Sequence, residues 1–166
     1  MTGGSAPGGA PDPGGPVRPI IALGYAVVGY AALAICGLGM TSLVTNTDVI
    51  AVPGLGQIPG IVGMIFAVAG FASALWPFLR AEHPPFSGAF AVAAVAMFAY
   101  LVGVAIGGLV SGAGPAAAAA AAGGVATSWF GLVLVVAAFA AAWAGIALVR
   151  TRARRPRWPW EHDTDE

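Results

Sequence analysis

The stretch Ala144-Gly145-Ile146-Ala147-Leu148-Val149-Arg150-Thr151-Arg152-Ala153-Arg154-Arg155-Pro156-Arg157 passes from an uninterrupted apolar run into an arginine block. Five of the chain's seven Lys and Arg residues fall in its last eight positions. Arginines massed at the end of an apolar span bias that end toward the cytoplasm. The run before them, residues 128–149, contains no Asp, Glu, Lys, Arg or His. Its length is close to the ~20 residues needed to cross a hydrocarbon core. Once this segment is set upright with its C-terminal end inside, the rest of the chain can be threaded backwards from it.

Three more apolar segments precede it, at about 20–43, 59–79 and 86–110, each without Asp, Glu, Lys, Arg or His. The expected fold class is therefore all-α: an integral membrane four-helix bundle with short antiparallel connections and disordered termini. Four crossings put both termini on one side. The connection 42–58 then lies outside and carries one charge, Asp48, and connection 111–127 carries none. Connection 80–85, with Arg80, Glu82 and His83, lies inside. This threading places Arg18, Arg80, Arg150, Arg152, Arg154, Arg155 and Arg157 on the cytoplasmic face, where they act as topology anchors. Trp76, Phe78, Phe86 and Trp129 fall at the span ends, where aromatic rings favour the headgroup layer.

Composition agrees. The chain is 58% hydrophobic and 8% charged, with a mean hydropathy of +0.86. A soluble domain carries about 25% charged residues, so most of this surface is expected to meet lipid. Residues 1–17 are mostly Gly and Pro and read as a flexible cytoplasmic tail. Residues 18–150 form the four-span domain, and 151–166 a basic-then-acidic cytoplasmic tail. Glu161, Asp163, Asp165 and Glu166 offset most of the arginine charge, which argues against nucleic-acid binding.

The spans hold ladders of small residues. Gly63 and Ala67, Gly70 and Ala74, then Ala99, Gly103 and Gly107, and finally Ala137, Ala141 and Gly145 each recur at intervals of four. Residues four apart share a helix face, and small ones let backbones approach where lipid supplies no hydrophobic drive. These are the candidate helix-packing residues, either within one bundle or toward a homo-oligomer or another membrane protein.

Catalytic, cofactor and metal sites are not expected. A single cysteine precludes an internal disulfide, and Cys36 reads as a small packing residue. His83 and His162 are isolated in loops, whereas zinc or haem needs converging ligands. Asp48 alone is a poor site for a hard cation that takes six or more oxygens. Tyr25, Tyr30 and Tyr100 are expected to hydrogen-bond neighbouring helices. The alanine tract 115–122 reads as a helix extension or a surface coil.

The Ala-rich spans, the Pro156-Arg157-Trp158-Pro159-Trp160-Glu161 tail and the acidic end resemble small uncharacterised four-span membrane proteins of high-GC Gram-positive bacteria. The absence of lysine and the scarcity of Asn and Gln suit such a genome. The resemblance implies a bacterial plasma-membrane location and no particular activity. The expected role is non-enzymatic, an accessory or structural protein pairing with other membrane helices. A small oligomeric transporter or channel is the alternative.

Overall fold

The computed structural model describes residues 17–50, 56–81, 85–112 and 114–150. The described residues form five helices and no strand: α1 (Pro19–Thr45), α2 (Ile58–Arg80), α3 (Gly88–Val110), α4 (Pro115–Ala126) and α5 (Trp129–Arg150). Four of them are long and apolar enough to cross a membrane. Even α5, with 22 residues, is about 33 Å long at 1.5 Å per residue, against a core of about 30 Å.

Local chemistry sets the helix ends. Pro19 opens α1, where its missing N–H is no loss, and the Arg18 carbonyl accepts the N–H groups of Ile21 at 2.9 Å and Ala22 at 3.1 Å. α1 stops at Asn46, which takes the left-handed conformation at φ 51°, a role Asn tolerates better than most residues. There the Ser42 hydroxyl donates to the Thr47 carbonyl at 2.8 Å and folds the chain back over the helix end. Gly112, at φ 82°, reverses the chain between α3 and α4.

The long helices close a ring. α2 and α3 pack most extensively, followed by α1 on α5; α3 also meets α5, and a thinner α1–α2 contact completes the circuit. The core between them holds Tyr30, Phe71, Leu75, Val104, Leu134 and Ile146. Outward, the same helices present large apolar side chains to the surroundings, among them Phe90 at 68% and Phe98 at 70% exposure.

Two expectations are corrected. The alanine tract between the third and last spans neither extends a spanning helix nor wanders as a coil, because it forms a separate helix, α4, packed mainly on α3. Seven alanines follow Pro115; Ala has the highest helix propensity and Pro is favoured at the first position. Ala118, Ala121 and Val125 give α4 a buried face. Twelve residues span only about 18 Å, too short to cross. Cys36, expected to pack, is instead exposed on α1.

The expected tails, with Arg152, Arg154, Arg155 and Arg157, lie outside the described residues, as do His83, Glu82 and His162.

Candidate functional site

Small residues make the α2–α3 seam. A Cβ added at Gly103 would lie 2.7 Å from Gly63 Cα and 2.9 Å from the Val62 carbonyl oxygen. One at Gly107 would lie 2.7 Å from Pro59 Cα, and one at Gly70 2.6 Å from Ala99 Cβ. Ala67 is fully buried and Ala74 is partly buried against the core. Both ladders of α2 thus meet the ladder of α3. On α5, Ala137, Ala141 and Gly145 are buried, and a Cβ at Gly145 would lie 3.0 Å from Ala26 Cβ on α1. Three close approaches fall outside any ladder: Gly37 against Val133, Gly88 against the Phe78 ring, and Gly131 against the Val125 carbonyl. Each is a lone glycine, so no four-residue spacing marks it.

The described arginines gather at one end of the ring. Arg18 precedes α1, Arg80 ends α2 and Arg150 ends α5, and all three are exposed. The Arg80 guanidinium lies 5.5 Å from the centre of the Trp76 ring, and that of Arg150 lies 4.5 Å from Phe86. These distances suit cation–π attraction. Phe86 also meets Trp143, with ring centres 5.9 Å apart, tying the start of α3 to the end of α5.

The tyrosines depart from expectation. Tyr25 points outward at 69% exposure. Tyr30 is fully buried, stacked on Phe71 with ring centres 4.6 Å apart and planes 16° apart. Its hydroxyl has no hydrogen-bond partner. Stacking fixes the ring in a position from which Oη reaches no acceptor, so shape has overridden polarity here.

At the opposite end from the arginines, a crevice of about 900 Å³ lies between α1 and α2. Its walls are Ile35 and Leu38 from α1 and Ile61, Met64 and Ile65 from α2, with Tyr100 of α3 behind them. Asp48, Gln57 and Ser42 are the polar groups lining it. Val49 and Ile50 fold onto the bundle beside it. Asp48 was expected in a solvated loop; it is exposed, yet it lines this crevice. Sequence reasoning missed the crevice, although the apolar Val49–Ile50 pair next to a lone acid was an available signal. Among the described residues, no three His, Cys, Asp or Glu side chains come together in a group that could hold a metal.

Residues 18–166 match the model of a family of unknown function, DUF6121. The chain belongs to that family. The match runs from the arginine before α1 to the end of the chain, so all five helices are DUF6121 helices. No curated protein matches this DUF6121 chain, and no solved structure does.

Proposed function

We propose that this chain is a multi-pass protein of the bacterial plasma membrane, with both termini cytoplasmic, in a non-enzymatic accessory role. It pairs with helices of other membrane proteins through the outer side of α1. The observation that carries the membrane reading is the distribution of polarity. Four long helices carry apolar side chains on their outer surface, while Arg18, Arg80 and Arg150 stand at one end. Apolar surface of this extent demands lipid or protein cover, and the gathered arginines favour a cytoplasmic position for that end.

The pairing reading is supported by what the bundle leaves uncovered. Gly63, Gly70, Gly103 and Gly107 already face other helices inside it. α1 is the least buried of the four long helices, with 22% of its most apolar window covered. A Cβ at Gly24, Gly29 or Gly39 would meet nothing within 4 Å, so a second backbone can come close there. Exposed Cys36 beside them is a native handle. A benzophenone maleimide attached at Cys36 in native membranes should, on illumination, yield adducts with another membrane protein, and Gly39→Leu should reduce them. Adducts with lipid alone would refute the pairing role.

A further inference from the structure

We propose that the crevice between α1 and α2 binds an amphiphilic organic cation, with its ammonium or phosphonium centre at Asp48 and its apolar body between the two helices. Four observations carry this. The volume, about 900 Å³, falls within the ~300–1,000 Å³ of small-molecule sites. Its walls are aliphatic: Ile35, Leu38, Ile61 and Met64. Among the described residues, Asp48 is the only lining group that is charged at neutral pH and the only carboxylic acid.

The fourth observation is Tyr100. It lines the crevice with its ring held rigidly in the core, the residue being 1% exposed. A bound molecule in the crevice would meet this side chain, with an acceptor for its hydroxyl or a cation over its ring.

Position and sign are set by the end of α1. Left-handed Asn46 and the Ser42–Thr47 hydrogen bond turn the chain so that Asp48 comes to the mouth. The C-terminal end of α1 and the N-terminal end of α2 both lie there, and their partial charges oppose one another. The carboxylate of Asp48 therefore sets the net charge, and a cation is selected over an anion.

The test uses the full chain in uncharged maltoside micelles, with radiolabelled tetraphenylphosphonium as probe and tetraphenylborate, of the same shape and opposite charge, as competitor. Saturable phosphonium binding is expected, displaced by unlabelled phosphonium and poorly by the borate. Asp48→Asn should weaken it about fivefold, the upper range for a solvent-accessible ion pair, and Asp48→Glu should retain it. Ile61→Trp, at a site 56% exposed and so able to accept bulk, should fill the crevice and remove binding. Thermal melts of each variant separate loss of a site from loss of fold. Displacement by phosphatidylethanolamine would identify a lipid ammonium headgroup as the source of the cation. Displacement by dodecyltrimethylammonium alone would identify a free amphiphile. Absence of saturable binding to the wild-type chain, undiminished binding by Asp48→Asn, or equal competition by the borate would each overturn the proposal.

Discussion

Replacing Gly103 with alanine tests the α2–α3 seam with one methyl group. The added Cβ would lie 2.7 Å from Gly63 Cα, 2.9 Å from the Val62 oxygen and 2.9 Å from Phe66 Cβ. Two of these neighbours are backbone atoms of α2, and neither can move by changing a rotamer. Reaching the 3.4 Å at which ordinary contact begins requires the helices to separate locally by about 0.7 Å, and close-packed interiors resist such shifts. Overpacking of this kind costs about 1–3 kcal/mol. For chains of 150–250 residues each kcal/mol corresponds to about 2–4 °C, so the melting temperature in detergent should fall by about 2–12 °C. Gly103→Leu should fall further. Gly24→Ala is the control: nothing lies within 4 Å of its new Cβ, so only helix propensity changes, by about 0.5–1 kcal/mol in favour of alanine. A Gly103→Ala protein melting at or above the wild-type temperature would refute the seam.

Three further outcomes are expected. Tyr30→Phe keeps the stack on Phe71 and removes a buried hydroxyl that has no partner; it should be neutral or stabilising by about 1 kcal/mol, as read by detergent melts, and clear destabilisation would mean that the hydroxyl is hydrogen-bonded. Gly124→Ala, in α4 with open space around it, should stabilise by about 0.5–1 kcal/mol, checked by the same melts. Neutralising Arg150, Arg152, Arg154 and Arg155 to Gln should leave a mixed orientation of the last span, visible as a C-terminal reporter active on both sides of the membrane.

The long helices were legible because they needed only the absence of charge. The expected run 20–43 corresponds to α1 at Pro19–Thr45, and 128–149 to α5 at Trp129–Arg150. α4 was less legible. A run of alanines has no polar face, so its periodicity carries no signal, and only Pro115 and propensity spoke for a helix. Which ladder faces which was also hidden: intervals of four mark a face but name no partner, so the meeting of Gly63 with Gly103 had to come from the structure. The crevice was the least visible feature. Concavity depends on how the helices are placed against one another, and the side chains that line it, such as Leu38 and Ile61, look the same in sequence as those that face outward. The unpartnered Tyr30 hydroxyl is another product of packing, since the ring stacks on Phe71 where its polar end reaches no acceptor.

The central claim is that the four long helices cross a membrane with the arginine-bearing end in the cytoplasm. The most direct test labels single cysteines with a membrane-impermeant maleimide, in a Cys36→Ala background carrying Ser5→Cys, His83→Cys or Asp48→Cys. In intact cells stripped of any outer barrier, Asp48→Cys should be labelled, whereas Ser5→Cys and His83→Cys should react only after lysis. Labelling of Ser5→Cys or His83→Cys in intact cells would contradict the account, as would recovery of the chain in the soluble fraction without detergent.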